Sequence, residues 1–152
     1  MIDKLYSPKV VKDIRKKFNF SFSKHFGQNF LIDKDNNMYL IDWEYSAMSD
    51  PAGDIACFIT CSKYNKKEAI DIIKEYFNQK PSYEQLRYFI AYISISSFYW
   101  FLWAINQEIE GKKIGEYLYI YYKNVKDYYD ISINMYKNPN KEDIFSLLEK
   151  FN

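Results

Sequence analysis

Apolar residues recur at helical spacing through most of the chain after residue 50. In Lys66–Phe77 they gather on one side, which predicts an amphipathic helix. Ser82 and Gln85 form a capping-box pattern, so another helix should begin there and run to about Glu110, with Gly111 as its stop. Start and stop signals of the same kind predict further helices at residues 8–18, 52–62, 114–137 and 141–151.

Between the predicted helices at 8–18 and 52–62, the pattern changes to two short apolar runs on either side of a polar turn. Residues 30–32 and 38–41 fit strands, and residues 33–37 (DKDNN) are rich in turn formers. We therefore expect a mainly α fold with a small β-hairpin, an α+β class. At 152 residues the chain should form a single domain.

Two polar residues stand at the open end of the predicted hairpin. Asn29 precedes the first strand and Asp42 follows the second, so strand pairing would bring an amide and a carboxylate side by side. These are the two protein ligands that kinase-type phosphoryl transfer uses for its metal ions, and Mg²⁺ prefers such oxygen atoms. The alternative is that Asn29 only starts a strand and Asp42 only caps a turn.

The surrounding strings resemble the metal-binding stretch of choline/ethanolamine kinases, within the aminoglycoside-phosphotransferase superfamily of kinase-like proteins. They are NFLID at 29–33, LIDWEYS at 40–46 and DPAGDIA at 50–56. The resemblance implies that Asn29 and Asp42 are catalytic residues that bind Mg²⁺ together with ATP. It also implies a structural role for Asp54, which by itself is a carboxylate favoured in the first turn of a helix.

Part of that family's machinery is missing from this chain. Counting back from Asn29 puts Lys24 at the position of the catalytic Asp, and a lysine cannot serve as an anionic base. No Gly-rich phosphate loop precedes Asn29. The resemblance therefore implies a helical C-terminal lobe, over residues 28–137, without the nucleotide lobe. We expect a truncated or split product that is inactive alone, with a separate chain as the N-terminal lobe.

Trp100 and Trp103 are three residues apart and so share one face of a predicted helix. Core packing explains such a pair, but two tryptophans facing a cavity could also hold a quaternary ammonium ion. The string at 98–107, FYWFLWAINQ, resembles the choline kinase segment whose two tryptophans line the choline pocket. The same resemblance implies three more substrate-binding residues, Glu44, Tyr45 and Tyr119. Tyr117 is an alternative register for Tyr119.

Two classes of function follow from the resemblance. One is an ATP-dependent enzyme that transfers the γ-phosphate to the hydroxyl of choline or ethanolamine, active only with its missing lobe. The other is a non-catalytic remnant that keeps a choline-sized aromatic pocket. A helical interaction module without a small-molecule ligand is a third, weaker interpretation.

Composition and charge indicate which partners and which cellular location to expect. The 21 basic and 20 acidic residues give no global field to attract nucleic acid, so we expect no nucleic-acid partner. Cys57 and Cys61 share a helix face and are expected to be reduced thiols of a cytoplasmic protein. Residues 88–105 contain no charge and reach the lower length of a membrane span, but serines interrupt them. We expect a core helix there and no membrane span.

Overall fold

The computed structural model describes residues 30–32, 34–35, 37–40 and 49–138, and the structural statements below concern these residues. They form two strands and four helices: β1 (Phe30–Ile32), β2 (Met38–Leu40), α1 (Pro51–Cys61), α2 (Lys66–Phe77), α3 (Tyr83–Ile109) and α4 (Glu116–Lys137). The predominance of helix expected from the sequence is confirmed. The helices predicted at 8–18 and 141–151 lie outside the described residues.

The strands and the helices belong to two compact units, and each is described by itself. In the first unit, β1 and β2 pair antiparallel, with Phe30 opposite Leu40 and Ile32 opposite Met38. Lys34 and Asp35, between the two strands, lie in a turn. The single-domain expectation stays a prediction.

Local signals place the helix ends. At the start of α3, the Ser82 hydroxyl accepts from the Gln85 N–H at 3.1 Å, and the Gln85 side chain accepts from the Ser82 N–H at 2.8 Å. The predicted capping box is therefore confirmed. The same reciprocal box, formed by Asn65 and Glu68, starts α2. At the far end of α3, Gly111 has φ of 81°, a left-handed conformation that glycine adopts without steric cost.

Buried side chains from all four helices form the core of the helical unit, in which α3 and α4 share the most extensive contact. Its largest fully buried side chains include Ile59, Ile70, Ile73, Ile90, Ile93, Tyr128, Ile131 and Met135. Two serines of α3 join this core through hydrogen bonds. Ser97 and Thr60 share one at 3.2 Å, and Ser94 donates to the Val125 carbonyl at 2.9 Å. These partners offset the cost of burying hydroxyl groups in an apolar interior.

One ion-pair cluster joins α2 to α4. Lys66, at the start of α2, is 9% exposed, and its Nζ lies 3.2 Å from the Asp127 carboxylate. Lys123 approaches the same carboxylate oxygen at 3.3 Å from one turn earlier in α4. A lysine is seldom this buried without an opposite charge, so Asp127 accounts for the position of Lys66.

Judged by length and composition alone, α3 could cross a membrane. The core helix of a soluble protein can meet the same criterion, and 33% of the apolar window in α3 is buried within the protein. This observation is weak evidence for a span, and the expected absence of one stays a prediction.

Candidate functional site

The two tryptophans of α3 lie together at the edge of the helical unit. Their ring centroids are 5.5 Å apart and the ring planes are inclined at 76°. Trp100 is half-buried, and its indole N–H donates to the Cys57 sulfur of α1 at 3.4 Å. Trp103 is 39% exposed. The structure therefore gives one indole a fixed orientation and leaves the other accessible to solvent.

Helix α4 contributes a second aromatic wall. The Tyr121 ring lies 6.5 Å from the Trp100 ring, and the Tyr117 ring lies 5.8 Å from that of Tyr121. Tyr121 is 5% exposed, whereas Tyr119 is 67% exposed. Residues 117 and 121 share a helix face, and residue 119 does not.

By sequence alone, Tyr119 and Tyr117 are alternative registers for one pocket tyrosine. In the described part of the chain, no ring contact joins Tyr119 to either tryptophan, while Tyr117 reaches Trp100 through Tyr121. The substrate role of Tyr119 stays a prediction. The sequence reasoning missed Tyr121. Its spacing of four from Tyr117 was the available signal.

A lysine ammonium already lies against this aromatic group. Lys63 Nζ is 3.8 Å from the Tyr117 ring centroid, a cation–π contact, and it also pairs with the Glu116 carboxylate. The hydrogen bond to Glu116 raises the pKa of Lys63, which favours the charged ammonium form. The ring of Tyr117 can therefore accept a cation, although a protein side chain holds that place here. No spacing rule along the chain predicts this contact.

The thiols of Cys57 and Cys61 lie 3.9 Å apart, one turn from each other on α1, and both are free and half-buried. The hydrogen bond between the two thiols lowers the pKa of Cys57, and the same bond together with burial raises the pKa of Cys61. Among the described residues, no three His, Cys, Asp or Glu side chains cluster closely enough to hold a metal ion. Cys57 instead orients Trp100.

The other predicted site residues are placed as follows. Asp54 lies in the first turn of α1, where the helix dipole favours a carboxylate, and its bracing role stays a prediction. The proposed magnesium ligands and two proposed pocket residues, Asn29, Asp42, Glu44 and Tyr45, lie outside the described residues. Lys24 lies outside them as well.

Comparison with known proteins gives partial matches. The chain is 34% identical over 96 residues to Protein LicA of Haemophilus influenzae strain Rd, which is 59% of this chain and 36% of LicA. A second Haemophilus influenzae LicA matches equally over 28% of its length. The chain thus spans about a third of the length of these curated relatives.

A shorter match concerns a different protein. Over 34 residues, the chain is 53% identical to ribosomal RNA small subunit methyltransferase A of Alkaliphilus oremlandii, which is 22% of this chain and 12% of that enzyme. A match this short gives no basis for assigning that activity to this chain. No family model matches the chain, and no solved structure matches it.

Proposed function

We propose that this chain is part of a choline/ethanolamine kinase-like phosphotransferase and that its helical unit binds the amino alcohol. The motifs at 29–33, 40–46 and 50–56 support the family, and the paired tryptophans of α3 support the ligand. The single observation on which the ligand depends is the near-perpendicular arrangement of Trp100 and Trp103 beside a solvent-accessible edge.

This arrangement suits a small organic cation. The two indoles form an edge-to-face pair with planes at 76° and centroids 5.5 Å apart, so a cation on the accessible side of Trp103 would also lie near Trp100. Cation–π attraction acts within ~6 Å of a ring centroid, which suits a cation at this position. The hydrogen bond from Trp100 to Cys57 fixes one wall before the ligand arrives, which lowers the entropy cost of binding.

The phosphoryl-transfer part of the proposal rests on the sequence. In a complete enzyme, Asn29 and Asp42 would hold Mg²⁺ with the phosphates of ATP, and the family resemblance assigns Glu44 and Tyr45 to substrate binding. Bound Mg²⁺ would neutralise charge on the transferred phosphate. Because Lys24 cannot accept the proton of the substrate hydroxyl, we propose that the chain does not turn over alone.

Calorimetric titration with choline tests the ligand. A matched control is 3,3-dimethyl-1-butanol, which has the shape of choline but a carbon atom in place of the ammonium nitrogen. We expect choline to bind and the neutral isostere to bind much more weakly, because cation–π attraction requires the charge. Equal affinities for the two compounds, or no binding of choline, would contradict the proposal.

Substitution of the accessible indole locates the binding site. Trp103→Ala should weaken choline binding about 5- to 30-fold, which corresponds to a loss of about 1–2 kcal/mol of cation–π attraction, and Trp103→Phe should restore part of it. Tyr129→Ala, which removes an exposed aromatic ring from α4, is the matched control and should bind normally. Circular dichroism of each variant separates a lost ligand contact from a lost fold.

A coupled assay with ATP, Mg²⁺ and choline distinguishes the kinase part from the non-catalytic binding module. We expect no phosphocholine from this chain alone. If adding the part of LicA outside the matched segment as a separate polypeptide produces turnover, the chain is a functional part of an enzyme and Lys24 does not prevent catalysis. Choline binding without turnover under that condition favours the binding module.

A further inference from the structure

The solvent-facing side of α3 is as apolar as its buried side. Four large residues follow one another at intervals of seven: Tyr88 at 46% exposure, Ile95 at 61%, Leu102 at 49% and Ile109 at 79%. A second row three positions later contains Ala91, Phe98 and Ile105, of which Phe98 is 50% exposed. We call these seven residues the α3 seam. From Tyr88 to Gln107 the helix contains no charged residue.

From the α3 seam we infer that a second copy of this chain packs on this face, with the two α3 helices antiparallel. The inference is independent of the proposed ligand. Apolar residues that alternate at intervals of three and four over three heptads form the pattern through which two helices interlock side chains. The same surface on both copies makes the contact self-complementary, as two-fold symmetry requires.

The extent of the face fits a stable pair. The exposed side chains of the seam and the neighbouring Tyr99 each present on the order of 100 Å² to solvent. Complete burial of these six side chains would remove roughly 600 Å² from each copy, at the lower end of the range around ~800 Å² per partner that ordinary specific interfaces bury. A monomer rarely leaves an apolar patch of this size exposed unless the patch contacts something.

Charge at the two ends of α3 selects the antiparallel direction. When Ile95 lies opposite Phe98 of the second copy, Ala91 meets Leu102, Tyr88 meets Ile105, and Ile109 at the end of the seam meets Glu84. That register brings Arg87 beside Glu108 of the second copy, and symmetry repeats the pair at the other end. A parallel pair would instead bring Arg87 beside Tyr92 and would form no opposite-charge contact within the helix.

Contacts within the helical unit hold both charges near these ends. The Glu108 carboxylate accepts from the Ile114 N–H at 2.7 Å. The Arg87 guanidinium lies 5.2 Å from the Tyr136 ring. These contacts fix the Arg87 and Glu108 side chains within each copy. The two residues lie 21 positions apart along one helix, so they cannot pair with each other in the same copy.

Sedimentation equilibrium of the full chain over a wide range of concentrations tests the inference. We expect a monomer–dimer equilibrium. Leu102→Glu should raise the dimer dissociation constant about 100-fold or more, because it places an unpaired carboxylate in the seam. Tyr129→Glu adds the same charge to an exposed position of α4, at 56% exposure, and should leave the constant unchanged.

A charge exchange tests the direction without disturbing the apolar seam. Arg87→Glu and Glu108→Lys should each weaken the dimer roughly three- to thirtyfold, and the double variant should restore it. A chain that stays monomeric at every concentration would overturn the inference, as would binding to phospholipid vesicles in place of dimer formation. Dimers that tolerate Leu102→Glu, or a double variant that is not restored, would contradict the seam or its antiparallel direction.

Discussion

The two faces of α3 are similar in composition and opposite in environment. One face contains Leu86, Ile90, Ile93 and Ser97, all at 5% exposure or less, and packs inside the helical unit. The other face, the α3 seam, is equally apolar and lies at the surface. Hydrophobicity therefore does not identify the core side of this helix. The difference comes from which side meets the remaining helices.

The largest expected difference in stability between the two faces concerns two isoleucines two positions apart in α3. Ile93 is fully buried, and Ile93→Ala should lower the free energy of unfolding by about 2–5 kcal/mol, because it leaves a cavity. Ile95 is 61% exposed, and Ile95→Ala should change it by less than about 1 kcal/mol when measured on dilute monomer. Urea denaturation of both variants measures the difference. Equal losses would mean that both faces are packed.

A smaller effect is expected from the polar contact on the buried face. Ser97→Ala removes the 3.2 Å hydrogen bond to Thr60 and leaves a buried hydroxyl to find another partner, so unfolding should become easier by about 1–3 kcal/mol. Adding Thr60→Val removes that second hydroxyl as well and should recover part of the loss. A double-mutant cycle by urea denaturation measures the coupling between Ser97 and Thr60. If the two losses simply add, the hydrogen bond between them does not contribute to stability.

The N-cap at Ser82 stabilises the whole of α3 and therefore both of its faces. Ser82→Ala removes the side chain that accepts from the Gln85 N–H and should cost about 1 kcal/mol of stability, as N-cap losses usually do. The matched control is Ser82→Asn, which keeps an accepting oxygen and should stay close to the original stability. Thermal unfolding followed by circular dichroism measures both. Equal losses in the two variants would show that the hydroxyl does not cap the helix.

The smallest expected change in stability comes from ionisation of the buried tyrosines, which occurs only at alkaline pH. Burial raises the pKa of Tyr128, and it raises the pKa of Tyr64 to about 12. The folded chain therefore retains protons that the unfolded chain releases above about pH 10, so stability should fall as pH rises through that range. Tyr128→Phe should make the fall shallower. An unchanged slope in alkaline urea titrations would show that Tyr128 ionises equally in both states.

The sequence by itself determined the four described helices and, closely, their ends, because those depend on neighbours in the chain. Lys66–Phe77 has the predicted bounds, and α3 ends within one residue of the expected position before Gly111. The signals at Ser82 and Gly111 are local hydrogen bonds and backbone preferences, which act before any tertiary contact forms. Helical spacing likewise placed Trp100 and Trp103 on one face.

Only the tertiary structure decided what those faces meet. A helix that is apolar on every side has no preferred inward direction, so the sequence could not distinguish Ile93 from Ile95. The bond from Trp100 to Cys57 and the ring contact with Tyr121 join positions 43 and 21 residues apart. Contacts at such distances depend on how α1 and α4 pack against α3, and no spacing rule along the chain specifies that packing.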